Sequence, residues 1–166
     1  MNQWKTIVFG TALVAVALGC YWTVSNLASA AGDEAEARGE IAAVLAAYTE
    51  AFEAKDIDGV MATLADGENT VMMGTGPGET WVGKDNIRAA HLAFMATAKK
   101  EESTRTLLAS GVGEGTAWLA GYLEVVQTLE TGEASFQLNL SMVFTKQDGQ
   151  WRIQCLHFSN LVGEAE

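Results

Sequence analysis

Two histidines, His91 and His157, are the side chains of this sequence best suited to carry protons near neutral pH. His157 lies in the last predicted strand, in which alternate residues share one face: Trp151, Ile153, Cys155, His157 and Ser159. If Trp151 and Ile153 face the interior, His157 does too, and a neutral imidazole there can act as a general base. The alternative is a histidine that bonds Ser159 or a backbone carbonyl and only orders the strand end, since no acidic partner can be assigned.

His91 is predicted on the inner face of a helix, about one turn before Phe94. It can pair in space with His157, or form a His–carboxylate dyad with Asp56 or Asp58. Asp58 is the strongest acidic candidate, although an aspartate at such a position also suits a helix cap. A histidine at the edge of the core is the simpler interpretation of His91. For an enzyme, the candidate proton carriers are therefore His157, Asp58 and His91.

Several aromatic side chains offer a surface on which a ligand could stack: Tyr48, Trp81, Phe94, Trp118 and Tyr122. Aromatic residues also fill cores, and the sequence does not separate the two roles. Arg105 suits either an anionic ligand or a surface ion pair with Glu101 or Glu124. Cys155 is a poor candidate nucleophile, because an apolar strand raises the pKa of a thiol.

Composition and spacing argue against several classes of function. The chain has 10 Lys and Arg against 21 Asp and Glu, a net charge of −11, which repels a phosphate backbone and disfavours nucleic-acid binding. Two histidines without ligand spacing around them do not predict a metal site. The loop Gly74–Gly78 lacks the lysine and following helix of a phosphate cradle, so we interpret it as a hairpin or loop. We predict no cofactor.

The first thirty residues have the pattern of a secretory signal peptide. Lys5 follows the amino terminus, residues 7–24 are almost wholly apolar, and Ala28-Ser29-Ala30 matches a small-x-small cleavage site. An uncleaved membrane anchor and a lipid attached to Cys20 are the alternatives. The sequence therefore predicts residues 1–30 as the signal peptide and residues 31–166 as one periplasmic or secreted domain. A membrane partner enters only if the leader is uncleaved or Cys20 is lipidated.

The rest of the chain predicts an α+β domain. A helix over 33–54 is followed by a short helix, a strand at 70–73, a glycine loop and a strand at 79–82. A third helix from 83 to about 100 then precedes four strands with short glycine-bearing turns, at 103–112, 117–129, 134–146 and 151–160. Helices first and long strands last place the helices on one face of an antiparallel sheet.

The strand at 117–129 is apolar on both faces. Leu119, Leu123 and Val125 alternate with Trp118, Tyr122 and Val126. Helices can cover one face, and a second copy of the chain is the simplest cover for the other. We therefore predict a homodimer through the sheet.

The order of elements and several segments resemble the SnoaL-like branch of the nuclear-transport-factor-2-like superfamily. The segments are Ile41–Phe52 with Lys55–Asp58 and Val60–Leu64, Trp81–Ile87, Asp148–Ile153, and His157-Phe158-Ser159. The resemblance implies a cone-shaped fold of three N-terminal helices packed on a curved, mostly antiparallel sheet, with a pocket between helices and sheet. It does not assign one function, because this fold hosts isomerases, dehydratases, cyclases and binding modules.

Two functions follow as expectations. The first is an exported binding or interaction domain that holds a small apolar or carbonyl-bearing ligand in its cone. The second is a cofactor-independent enzyme doing acid–base chemistry of the isomerase, dehydratase or cyclase type. A pocket with a histidine beside a carboxylate favours the enzyme, and a cone filled by Tyr48, Phe94 and Trp118 favours an assembly role.

Overall fold

The computed structural model describes residues 32–160, which contain three helices and six strands in the predicted order. The helices are α1 (32–53), α2 (Ile57–Thr63) and α3 (Lys84–Met95), and the strands are β1 (Val71–Met73), β2 (Thr80–Val82), β3 (Lys100–Gly113), β4 (Thr116–Leu129), β5 (Gly132–Gln147) and β6 (Gln150–Asn160). The predicted leader, its cleavage site and Cys20 lie outside the described residues. Within them, no helix is long and apolar enough to cross a membrane. The compact unit that contains the site begins at Arg38.

The six strands form one mixed sheet in the order β2-β1-β6-β5-β4-β3. β3 to β6 make the predicted antiparallel meander, and β1 adds to it by pairing parallel with β6. Asp148 and Gly149 join β5 to β6 with φ values of 49° and 78°. Two positive φ angles are what a two-residue hairpin turn with the twist of the strands requires, and Asp-Gly is a preferred pair for it.

The ends of the helices are fixed by backbone angles and by specific hydrogen bonds. Lys55 adopts a φ of 58° after α1, and the side chain of Asp56 then caps α2 by accepting from the Gly59 amide at 3.0 Å. The predicted extension of α3 to about residue 100 is wrong. The chain leaves the helix after Met95, because Lys99 donates its amide to the Thr128 carbonyl at 2.9 Å and the chain joins the edge of the sheet there.

The core lies between the helices and one face of the sheet, called here the inner face. Its least exposed side chains come from α2 and α3 and from the two strands at the centre of the sheet. They include Val60, Leu64, Ile87, Phe144, Ile153 and Leu156, none of which has any exposed surface. Leu64 also forms a bridge to Ile153, which ties the end of α2 to β6.

A bulge in β6 reverses the faces of that strand. Phe144 of β5 pairs with Ile153, but the preceding residue Val143 pairs with Cys155, so Gln154 is an extra residue. Beyond the bulge Leu156 is fully buried, and Cys155 and His157 point to the opposite, outer face of the sheet. The prediction that His157 and Cys155 share the face of Ile153 is therefore wrong. Strict alternation fails here because one inserted residue shifts every later side chain to the other face.

The outer face of β4 keeps its predicted apolar side chains. Trp118 is 48% exposed and Val126 is 37% exposed, whereas Leu119 and Val125 on the inner face are buried. The Trp118 ring lies over Gly111 of β3, where a Cβ atom would come within 2.5 Å of the indole nitrogen. A second bulge, at Leu108 of β3, adds to the bending of the sheet. The homodimer through this face stays a prediction.

Candidate functional site

A cavity of about 240 Å³ lies between the inner face of the sheet and helices α1 and α3. Its walls are mainly apolar, with contributions from α1, α3, β1, β4, β5 and β6: Phe52, Phe94, Met72, Leu123, Leu138, Leu140 and Phe158. The inner face of β5 supplies much of this surface, because Phe136, Leu138, Leu140 and Met142 alternate on one side of the strand. A space of this kind, with apolar walls and few polar groups, is typical of small-molecule sites.

Tyr48 and His91 form a hydrogen-bonded pair in the cavity wall. The Tyr48 hydroxyl lies 2.8 Å from His91 Nε2, and His91 Nδ1 lies 2.9 Å from the carbonyl oxygen of Ile87. A carbonyl can only accept, so this network assigns the proton to Nδ1 and makes Nε2 the acceptor of the Tyr48 hydroxyl. His91 is buried, and no carboxylate of residues 32–160 takes part in the pair.

Burial keeps both members of this pair neutral. It lowers the pKa of His91 below its ordinary 6.5, with the hydrogen bond to Ile87 acting weakly the other way. Burial also raises the pKa of the Tyr48 hydroxyl, which Arg105 lowers to a smaller extent. Both ring nitrogens of His91 are occupied, so Tyr48, which keeps a free lone pair on its oxygen, is the member that can meet a ligand without breaking the pair.

The inner side of β3 adds polar groups to the cavity. Arg105 Nη2 donates to the Thr49 hydroxyl at 2.6 Å, and Glu101 accepts from Gln127 Nε2 at 2.6 Å. The predicted ion pairs of Arg105 with Glu101 or Glu124 do not form. Glu101 lies four residues away along the strand, about 13 Å at the usual rise per residue, and Glu124 lies on the outer face.

The glycine-rich segment forms the predicted loop, between β1 and β2. Oε2 of Glu79 accepts hydrogen bonds from the amides of Thr75 and Gly76 at 2.7 and 2.8 Å. The loop thus closes on a carboxylate of its own chain rather than on a phosphate. Gly74, Thr75 and Glu79 belong to the cavity wall.

The predicted ligand-binding aromatics divide between the two faces of the sheet. Tyr48 and Phe94 line the cavity, and Trp81 packs edge-on against Phe94 with ring centroids 5.5 Å apart. Trp118 and Tyr122 do not line it, because the alternation of β4 directs them to the outer face. They are therefore not part of this cavity, and a role for them in ligand binding stays a prediction.

Of the predicted proton carriers, only His91 lies in the cavity wall. Asp58 is an exposed residue of α2 whose carboxylate pairs with Arg88 at 2.6 Å. His157 lies opposite Ser141 on the outer face, and Ser159 there accepts from Asn139 at 3.2 Å. The structure therefore does not bring the predicted acid–base residues together. Cys155 lies on the same outer face of β6 as His157, and partial burial raises the pKa of its thiol.

Several polar residues of the cavity were not predicted: Thr49, Glu79, Glu101, Ser103 and Gln127. A signal existed in β3, where Glu101, Ser103 and Arg105 alternate as polar residues on the side that a helix must cover. Glu53 of α1 completes that arrangement, since its Oε1 accepts from both the amide and the hydroxyl of Ser103 at 2.9 and 3.1 Å. Among residues 32–160, no three His, Cys, Asp or Glu side chains are grouped so as to hold a metal ion.

Solved structures with the same fold come from several bacteria. A protein of unknown function from Pseudomonas putida, described as NTF2-like, aligns with a TM-score of 0.68 at 17% identity, over 78% of this chain and 90% of its own. A proposed aromatic ring hydroxylase from Novosphingobium aromaticivorans gives 0.67 at 20% identity, over 77% and 91%. A proposed dehydratase of the NTF2-like family from Streptomyces avermitilis gives 0.66 at 15% identity, over 75% and 96%. At these identities the likeness establishes the fold alone.

Sequence comparison agrees with the fold. A comparison of this sequence with curated proteins found no match. The family model of the SnoaL-like domain matches residues 41–163, which include α2, α3, all six strands and every side chain of the cavity described above. This chain belongs to the SnoaL-like domain family.

Proposed function

We propose that this protein is a small-molecule-binding domain whose ligand occupies the cavity between α1, α3 and the inner face of the sheet, with these elements enclosing it as a cone. The observation that carries the proposal is an open cavity of about 240 Å³ with apolar walls and a small set of polar groups on one side. Tyr48 and Phe94 line this space without filling it, and Trp118 lies outside it. Those positions favour a ligand over a purely structural cone.

The state of His91 also favours binding over catalysis. Its two ring nitrogens are held by Tyr48 and by the Ile87 carbonyl, and no carboxylate in the described part of the chain orients it. A general base needs a lone pair that can reach the substrate proton. The neutral Tyr48–His91 pair instead offers a ligand a fixed hydroxyl.

Fluorescence titration with the uncharged probe N-phenyl-1-naphthylamine tests the proposal. The change Leu138→Trp fills the cavity, and we expect it to weaken probe binding by roughly tenfold or more. Gln137→Trp is the matched control, because it adds the same ring at the neighbouring position of β5, on the outer face. Equal probe binding by the two variants would refute the cavity as the binding site.

A cofactor-independent acid–base enzyme is the second candidate, supported by the position of the Tyr48–His91 pair in the wall and by the fold it shares with a proposed dehydratase. In that case the Tyr48 oxygen would take a proton from the substrate while its own hydroxyl proton passes to His91 Nε2. The reverse transfer would then return a proton to the substrate. The exchange of α-protons of acetophenone in D₂O, followed by NMR, is the test. If the wild-type protein exchanges these protons faster than buffer does and Tyr48→Phe abolishes the acceleration, the enzyme is favoured. Exchange at the buffer rate with the wild-type protein would reject this role.

Export remains a proposal that rests on residues 1–30. It predicts a mature protein beginning at Ala31, which the intact mass of the protein recovered from the host would reveal. Ala30→Leu should block cleavage, since signal peptidase accepts a small residue at that position. Cys20→Ser separates the lipidated alternative, because it should leave both mass and localisation unchanged if cleavage follows Ala30.

The homodimer is likewise a proposal, supported by exposed Trp118 and Val126 on the outer face. Size-exclusion chromatography with light scattering should give twice the chain mass. Trp118→Glu should shift the protein to monomer, whereas Val82→Glu, an equally exposed apolar position on β2, should not. A monomeric wild-type protein at micromolar concentration would refute the proposal.

A further inference from the structure

Arg105 is the only Lys or Arg among the described residues that line the cavity. It lies on the inner side of β3, is partly buried, and makes one hydrogen bond within residues 32–160, from Nη2 to the Thr49 hydroxyl. A guanidinium has five N–H donors, so four of them have no protein partner in this part of the chain. The Nε group is among them and is buried.

The carboxylates around the cavity form no ion pair with this cation within residues 32–160. Burial lowers the pKa of Arg105, and the charge of Glu53 acts the other way and raises it. Glu101 is held by the side-chain amide of Gln127, Glu53 by Ser103, and Glu79 by the two loop amides. Each therefore has its own neutral donors, and Arg105 has no ion-pair partner among residues 32–160. A cation partly removed from water gains most from a charge-assisted hydrogen bond to an anion, and a planar guanidinium matches a carboxylate in particular.

On the β4 side of Arg105 the cavity surface is apolar. Arg105 pairs across the sheet with Leu123, and Leu123 pairs with Leu138, so both side chains continue the cavity floor from the guanidinium toward β6. A ligand bound here would place one charged end on β3 and an apolar body across β4 and β5.

We propose that the cavity takes an apolar monocarboxylic acid, with its carboxylate on the Arg105 guanidinium and its hydrocarbon over Leu123 and Leu138. This inference rests on the proposed function and adds the chemical class of the ligand. The long-range field of a chain with a net charge of −11 repels anions, so a preference for an acid has to come from a local contact. Arg105 is the residue that can make it.

Three probes with one hydrocarbon chain and different head groups test this inference: octanoate, octan-1-ol and octan-1-amine. Their Kd values are measured by displacement of N-phenyl-1-naphthylamine from the wild-type protein. We expect octanoate to bind about tenfold tighter than octan-1-ol, because of the charge-assisted contact. Equal affinity for the acid and the alcohol, tighter binding of the amine, or no displacement by octanoate would each overturn the inference.

Variants then assign the preference to its residue. Arg105→Gln should remove the preference for octanoate and leave the Kd of octan-1-ol unchanged. Arg88→Gln is the matched control, since it removes an equal charge from an exposed position outside the cavity and should keep the preference. A preference that survives in Arg105→Gln would overturn the assignment.

Arg105→Lys is the second variant, for use if Arg105→Gln does not fold. It retains a positive charge but not the planar fork, so the Kd of octanoate should rise about threefold or more, with that of octan-1-ol unchanged. An unchanged octanoate affinity would overturn the inference. The proposed function fails in a different way, namely when N-phenyl-1-naphthylamine binds Leu138→Trp as well as it binds the wild-type protein.

Discussion

The two faces of the sheet differ in what covers them, although the strands β4 and β5 contribute regularly alternating side chains to both. The inner face meets α1, α2 and α3, and buries Leu119, Leu140, Met142 and Phe144. The outer face carries exposed Trp118 and Val126 beside polar side chains of β5 such as Ser141. An apolar side chain of the sheet is thus buried only where another element packs on its face. The cavity forms on the inner face for the same reason.

The two histidines make the same point for single residues. His91 faces the core from α3 and is neutral in a defined tautomer, whereas His157 lies on the outer face beyond the β6 bulge. In β6, the inserted residue Gln154 is what places His157 on the outer face and not on the inner one. The four predictions that follow would break or sharpen this contrast between the faces.

The largest effect is expected from a charge on the inner face of β6 beyond the bulge. Leu156→Asp would bury a carboxylate among apolar side chains, so the protein should fail to fold or unfold far below the wild-type temperature. His157→Asp places the same carboxylate at the neighbouring position on the outer face and should cost only about 1 kcal/mol. Thermal unfolding followed by circular dichroism compares the two variants. The reverse order, which strict alternation from Ile153 would give, would contradict the role given to the bulge.

Truncation of one large side chain on each face should give unequal losses. Phe144→Ala removes a fully buried ring and should cost about 3–5 kcal/mol of unfolding free energy. Trp118→Ala, at a half-exposed ring, should cost about 1 kcal/mol. Urea unfolding at two protein concentrations compares them. If the outer face forms the homodimer, the cost of Trp118→Ala should grow with concentration, and equal losses at low concentration would refute the contrast.

The neutral state of His91 predicts a pH dependence of stability. Its folded pKa lies below the unfolded value of 6.5, so the unfolded chain binds more protons as the pH falls through 6.5 and the folded state loses stability. The loss approaches about 1.4 kcal/mol per pH unit between the unfolded and folded pKa values. Urea unfolding of wild type and His91→Gln from pH 7.5 to 5.5 isolates this contribution. Parallel pH profiles for the two proteins would contradict it.

The smallest effect is expected at Asp58. Asp58→Asn breaks an exposed ion pair with Arg88 and should change stability by less than about 1 kcal/mol. It should also leave the affinity for N-phenyl-1-naphthylamine unchanged, because Asp58 does not line the cavity. Loss of probe binding in a folded Asp58→Asn variant would show that Asp58 contributes to ligand binding.

Most of the fold could be predicted from local sequence patterns. The period of apolar residues located α1 and α2, the glycine-bearing turn joined β5 to β6, and alternation assigned the faces of β4. The predicted end of α3 failed because the backbone of Lys99 is captured by the edge of β4, a contact between residues distant in the chain. The faces of β6 failed because no residue pattern distinguishes a bulge at Gln154 from a regular strand.

The site was predicted less completely. Tyr48, His91 and Phe94 were found because a helical stripe faces the core, and Arg105 was recognised as a possible anion partner. Asp58 and His157 suit acid–base chemistry by residue type, but their elements direct them away from the cavity. Residue type alone does not distinguish a partner inside the cavity from one on the opposite surface.

The sequence by itself determined the order of elements and the inner stripes of the helices, because these depend on spacing within short segments. Its resemblance to the SnoaL-like branch indicated the family. The tertiary structure alone decided which polar groups meet. It joined Tyr48 to His91 across 43 positions of the chain and Arg105 to Thr49 across 56. Among residues 32–160 it also left Arg105 without an ion pair, because Glu53 and Glu101 bond to neutral donors that only the packing of α1 on β3 and the pairing of β3 with β4 bring within reach.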